Sequence, residues 1–263
     1  MDILTHALFG ALASRAVTNK PQTENSSPDR YVAITVAAIA AAFPDSDYFL
    51  FLVDPLVFLS EWHRSFTHSF VLLPLWTVLL TGITVLLFPG LRKHSLKISS
   101  FIALGLTTHI MLDLLTVYGT RIFYPFSNRS FSLGTTFVID PYLTLIVIIG
   151  LIISFFHTPK ITAMVFISFL CIYVLFQWQL RSQARLIGER VFSQGETTEI
   201  KTVALPQPFS PFHWRIITCR NDHYSTTLID LAGISENLKR LDSKIPFIKF
   251  VSAYHDITNA EWE

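Results

Sequence analysis

Residues 62–88 read "WHRSFTHSFVLLPLWTVLLTGITVLLF". The second part, 70–88, carries no charge and is long enough for a membrane helix, since a hydrocarbon core about 30 Å thick takes roughly 20 apolar residues. The first part, 62–69, sets two histidines, an arginine, a threonine and two serines at the threshold of that run. Such a threshold is either an interfacial anchor or one side of a site. The rest of the chain decides which.

Composition fixes the class. Of 263 residues, 51% are hydrophobic, 23 are Phe and only 15% are charged, where soluble domains carry about 25% charged residues. The mean hydropathy is +0.47. This is the composition of a membrane protein. The net charge of +1 provides no field for nucleic acid, and none is expected as a partner. Cys171 and Cys219 match no zinc spacing and no disulfide framework. The N-terminus, "MDILTHALFGALASRAV", has no basic stretch before its apolar run, so we read it as retained and not as a secretory signal.

Further apolar runs lie at 31–52, 98–117, 141–156 and 162–180, with a shorter one at 2–17. The fold expected is a mainly α polytopic membrane helix bundle, with five membrane helices plus an N-terminal helix. From about 183 the composition turns polar. "HWRIITC" and "STTLIDL" read as strands between turn signals at Pro206, Pro208, Pro211 and Asn221-Asp222. We therefore expect two domains, a membrane helical domain over 1–182 and a small β-rich soluble appendage over 183–263.

Ionisable groups at membrane depth are costly and mark sites. Here they come in pairs: His63 with His68, Asp45 with Asp47 in "FPDSD", and His109 with Asp113 in "HIMLD"; His6 follows Thr5 in "DILTHALFG". His109 and Asp113, at i and i+4, share one helix face. Asp45 and Asp47 lie about 200° apart on an ideal helix, but Pro44 can break the helix and let both point one way. Threading the runs up and down brings all four segments to one membrane face. Imidazoles and carboxylates together form a metal-site composition: zinc first, with manganese or iron open, and one or two ions. The competing reading of each pair is structural: a helix–helix hydrogen bond for His109 and Asp113, a capped turn for Asp45 and Asp47, and an interfacial helix start capped by Thr67 or Ser69 for His63 and His68. Arg64 is either an anion fork or an interface anchor. Arg121, in "GTRIFYPFS" on the same face, is a second anion contact. Asp140 before Pro141 reads as a helix cap.

"DILTHALFG", "FPDSD", "HRSFTHS" and "HIMLDLLTVYGTRIFYPFS" together resemble the bacterial membrane-bound metal-dependent hydrolase family of the YdjM type, in order over residues 1 to about 140. The family often has Gly after "HR", where this chain has Ser65. The resemblance implies an integral inner-membrane protein with metal-dependent hydrolase activity, and says nothing of the tail.

The expected site is therefore a metal bound among His6, Asp45, Asp47, His63, His68, His109 and Asp113, with Asp45, Asp47, Arg64 and Arg121 in catalytic roles. The expected substrate is an ester or phosphoester, lipid-like because the site opens at headgroup level. The alternative is non-enzymatic: a structural metal site or an ion transporter. Lys and Arg near the loops on the opposite face (Arg15, Lys20, Arg30, Arg92, Lys93, Lys97 and Lys160) outnumber those on the site face (Arg64, Arg121 and Arg129). By the positive-inside rule the site and tail face outward, although Arg181, Arg185 and Arg190 pull the other way. No nucleophile elbow, P-loop or dinucleotide fingerprint is present.

Overall fold

The structure, a computed structural model, describes residues 1–18, 30–192, 201–220 and 223–232. It divides into two compact units, Met1–Gly134 with Val138–Tyr173, and Thr135–Phe137 with Val174–Glu263.

The first unit contains α1 (Ile3–Val17), α2 (Arg30–Ala42), the single turn α3 (Pro55–Val57), α4 (Leu73–Leu87), α5 (Ser95–Leu115), α6 (Pro141–Phe156) and the start of α7 (Pro159–Phe192). Among the described residues, three stretches are long and apolar enough to cross a membrane: Arg30–Leu52, Pro89–Leu115 and Pro159–Arg190. Of the five expected membrane helices, α4 and α6 are shorter, at 15 and 16 residues, or about 22–24 Å at 1.5 Å per residue. The run at 70–88 shortens for a local reason. The Phe70 amide donates to Ile122 O at 3.0 Å, so the first apolar residues join a loop and not a helix. Conversely, α7 does not stop at the composition change near 183. "RSQARLIGER" is rich in helix formers, and Arg185 pairs with Glu189 one turn on at 2.8 Å.

The centre of this unit is built on small residues. The buried face of α2 is Ala33, Ala37, Ala40 and Ala41, and α1 and α5 press glycines against it. A Cβ on Gly10 would lie 2.5 Å from Ala41 Cβ and 2.7 Å from Ala37 O; one on Gly105 would lie 2.4 Å from Ala37 O. Small faces let helix backbones approach closely where side-chain hydrophobicity offers no driving force against lipid. Ile98, Ile102 and Leu106 of α5 pack on Ala40, joined by Trp76 and Leu80 of α4.

After α2 the chain tightens. Pro44, without an amide proton, cannot continue the α-helical bonding, and Phe43–Leu52 forms a 3-10 helix. Asp140 caps α6 as expected, its Oδ1 accepting from the amides of Tyr142 and Leu143 at 3.0 and 3.1 Å, while Tyr173 donates to its Oδ2 at 2.8 Å.

In the second unit, β1 (Lys201–Pro206), β2 (His213–Arg220) and β3 (His223–Asp230) form an antiparallel sheet in the order β1-β2-β3. Its buried face rests Trp214 and Ala204 on Leu180 and Ala184 of α7. The two strand-like segments of the sequence are β2 and β3. Residues 233–263 of the expected appendage, His255 included, lie outside the described residues.

Candidate metal centre

Four segments deliver polar side chains to one buried point. His6 comes from the first turn of α1, whose N-cap is Asp2 accepting from the Thr5 amide at 2.9 Å. Asp45 and Asp47 come from the 3-10 helix, His63 and His68 from the turns before α4, and His109 and Asp113 from the last two turns of α5. His6, His68, His109 and Asp113 are fully buried.

One ligand atom from each of His6, Asp45, His109 and Asp113 lies within 4.8 Å of the others, a group that could hold a metal ion. His68 reaches the same point. Its Nε2 is 3.3 Å from Asp113 Oδ2 and 3.6 Å from Asp45 Oδ1; His109 Nε2 is 3.5 and 3.7 Å from the same two oxygens. A tetrahedral ion with bonds of 2.0–2.2 Å has edges of about 3.3–3.6 Å between its ligand atoms. Three of the four separations fall in that range and the fourth, at 3.7 Å, is just longer. On the other side of Asp113, Oδ1 lies 3.2 Å from His6 Nε2 and against the Met1 amino group, and the His6 ring stacks on that of His109 at 3.7 Å.

The hydrogen bonds decide what the two imidazoles present. His109 Nδ1 is 2.6 Å from Ala41 O. A carbonyl only accepts, so Nδ1 carries a proton and Nε2 is the atom turned to the carboxylates. His68 reaches the same state through a relay. Thr67 donates its hydroxyl to Asp47 Oδ2 at 3.2 Å, so it accepts from His68 Nδ1–H at 2.9 Å. Both Nε2 atoms, and Asp113 Oδ2, have no hydrogen-bond partner among the described residues. Two imidazole Nε2 atoms thus face two carboxylates. A proton on one or both nitrogens, or one shared cation, resolves this. The rings lie only 4.8 Å apart, so two imidazolium ions would repel, which leaves one proton or one cation for the pair.

The remaining expected residues take other positions. Asp45 and Asp47 both turn toward His68 but to opposite edges of its ring, Asp45 to Nε2 and Asp47 to Nδ1. His63 pairs with Asp47. Its Nδ1 sits 3.2 Å from both Asp47 oxygens, and Tyr48, Phe58 and Tyr118 surround its ring. Arg64 is buried, with a positive φ of 55°. Its Nη2 pairs with Asp113 Oδ1 at 3.0 Å, and its Nη1 donates to Thr116 Oγ1 at 2.6 Å, capping the carbonyl end of α5. Burial raises the pKa of the Tyr118 phenol beneath the guanidinium, keeping it a donor to Leu59 O. Arg121 donates to Glu61 O at 2.7 Å and lines an open cleft of about 680 Å³ whose wall includes Asp47 and Thr67. Sequence reasoning did not assign Thr67 or Ala41 O to the site. The only signal for Thr67 was its place before a histidine, which Thr5 shares.

A family model described as "YdjM inner membrane protein" matches residues 1–184. The chain belongs to the YdjM inner membrane protein family. All seven His and Asp residues of the cluster fall within the matched part. The chain is also 26% identical over 220 residues to a Bacillus subtilis (strain 168) protein described as "Uncharacterized protein YfhP". The alignment covers 82% of this chain and 64% of that relative. No solved structure matches.

The relay makes a prediction for a YdjM-family centre. Thr67→Val keeps the side-chain volume but removes the hydroxyl, so His68 Nδ1 loses its acceptor. Losing such an outer partner typically weakens metal affinity about 10–100-fold. Chelator competition on purified protein measures this, and unchanged affinity would remove the relay from the account.

Proposed function

We propose that this inner membrane protein is a metal-dependent hydrolase acting on an ester or phosphoester, with a lipid-like substrate. The observation that carries the metal reading is the pair of Nε2 atoms, of His68 and His109, set against Asp45 and Asp113 at separations of 3.3–3.7 Å. His6 completes the donor set. The ion is divalent, with zinc first by donor type and manganese or iron as alternatives; a second ion is a further arm of the proposal. When bound there, it acidifies water toward neutral pH and polarises the ester oxygen.

The chain's own residues do the rest. Asp47, held by His63 and Thr67 at the cleft wall, lies on the Nδ1 side of His68 and orients that ring toward the donors. Arg121 on the same cleft steadies the anionic group. Arg64 acts through Asp113, fixing the carboxylate that the ion would bind. The bilayer supplies the substrate. Five membrane helices, with α4 and α6 crossing despite their length, a soluble domain over 183–263, and a site facing outward by the Lys and Arg distribution belong to the same reading.

A second reading has an observation of its own. The four closest donors are buried, whereas catalytic zinc sites keep an open position. A structural metal site fits that closure.

One experiment separates the two. Purified protein is assayed for bound metal, then for hydrolysis of bis(p-nitrophenyl) phosphate and p-nitrophenyl butyrate with added zinc, manganese or iron. A hydrolase gives turnover lost in His68→Ala together with the metal, while the melting temperature is retained. Metal loss that collapses the fold, without turnover in the parent, favours the structural reading. A parent that binds no metal ends both.

A further inference from the structure

The segment between the two site-bearing stretches, Tyr48–Leu59, has a surface that the centre does not explain. Its ends are pinned together: Asp47 bonds His63, and Tyr48 and Phe51 pack on the buried Phe58 ring at 5.2 and 5.9 Å. Its other side chains point outward. Phe49 is 77%, Leu52 83%, Val53 72% and Leu56 79% exposed. Between Asp47 and Glu61 the only charged residue is Asp54, and its carboxylate is used on the Leu56 and Val57 amides at 3.0 and 3.1 Å.

We propose that Tyr48–Leu59 is an interfacial flap that lies in the headgroup–acyl boundary of a phospholipid bilayer. Three observations select lipid over another occupant. The flap is continuous with the apolar stretch Arg30–Leu52, whose far end it forms. Its border carries half-exposed Tyr48 and Trp62, the residue types of a membrane interface. It also carries no Lys or Arg, so it offers a protein partner no charge pattern to read, while a turn with one satisfied carboxylate suits headgroup depth better than the bilayer centre. Leu50 and Trp62 belong to the flap or its border and also line the cleft. The flap thus sets the cleft mouth at headgroup level, where an amphiphile can enter without leaving the membrane. The lipid contact itself does not depend on the hydrolase reading; only this last consequence does.

The test uses the full chain with Cys171→Ser and Cys219→Ser, reconstituted in vesicles of phosphatidylethanolamine and phosphatidylglycerol. A cysteine at Leu56, or independently at Leu52 or Val53, carries an environment-sensitive fluorophore. A cysteine at Thr226 on the exposed side of β3 is the aqueous reference. The expected result is a blue-shifted flap label, quenched at least threefold more strongly by lipid doxyl-labelled near the headgroup than the Thr226 label. The flap label should also be shielded from iodide. Equal iodide access at Leu52, Leu56 and Thr226 overturns the proposal. Shielding from both quenchers overturns it too, and points to a second copy of the chain. No outcome reads hydrolysis, so loss of activity and failure of the flap are distinguishable.

Discussion

Asp113→Asn is expected to reduce bound metal to background. This one carboxylate meets three histidines and an arginine: Oδ2 faces His68 and His109 at 3.3 and 3.5 Å, while Oδ1 faces His6 at 3.2 Å and Arg64 at 3.0 Å. No other side chain of the cluster reaches three histidines and the guanidinium. Asp113→Ala goes further, because it leaves the Arg64 charge buried without its partner. Breaking a buried ion pair on one side typically costs about 3–5 kcal/mol. A double-mutant cycle with Arg64→Met measures the pairing, with an expected coupling of about 2 kcal/mol in thermal or denaturant unfolding. If the two substitutions simply add, Arg64 and Asp113 do not act as a pair.

Gly105→Leu carries the second large effect. Even a methyl at that position would sit 2.4 Å from Ala37 O and 2.9 Å from Ala40 Cβ, well inside contact distance. Overpacking a close interface ordinarily costs about 1–3 kcal/mol, and here the obstacle is backbone, which cannot rotate away. The expected outcome is separation of α2 from α5, with loss of folded protein in detergent and of bound metal together. Gly82→Leu on α4, where a Cβ meets nothing within 4 Å, is the matched control and should leave both unchanged. A stable, metal-loaded Gly105→Leu protein would show that the two helices do not set the geometry of the site.

The sequence offered candidate residues but not their arrangement. His109 and Asp113 were legible because helix periodicity is rigid: four residues apart on a helix means one face. The convergence of the four segments followed from counting crossings. The division of labour between Asp45 and Asp47 was not legible. It depends on the 3-10 winding after Pro44, which swings the two carboxylates to opposite edges of the His68 ring. Nor was the position of His63. Residues 63–72 form turns shaped by the positive φ of Arg64 and by bonds to residues 121–124, and no local pattern encodes so long-range a fit. Arg64 illustrates the same limit. A charged residue at a membrane threshold looks like an anchor for headgroups, and only the tertiary structure shows it turned inward to cap α5. The lengths of α4 and α7 were misjudged in opposite directions because hydropathy measures solvent preference, whereas a helix ends where its backbone bonds do.

The meeting of Gly10 and Gly105 over one α2 carbonyl has a genetic consequence. When two side chains clash, a smaller allele at the second position can restore the fit. Here a Cβ on Gly105 would meet Ala37 O first, and one on Gly10 would meet it at 2.7 Å, just behind Ala41 Cβ, and a main-chain oxygen is the same in every allele. A bulky change at Gly105 therefore has no single-site suppressor at position 37, where even Gly would leave the carbonyl in place. Revertants should restore glycine itself, and the codons at positions 10 and 105 should tolerate less than those of the histidines they help to place.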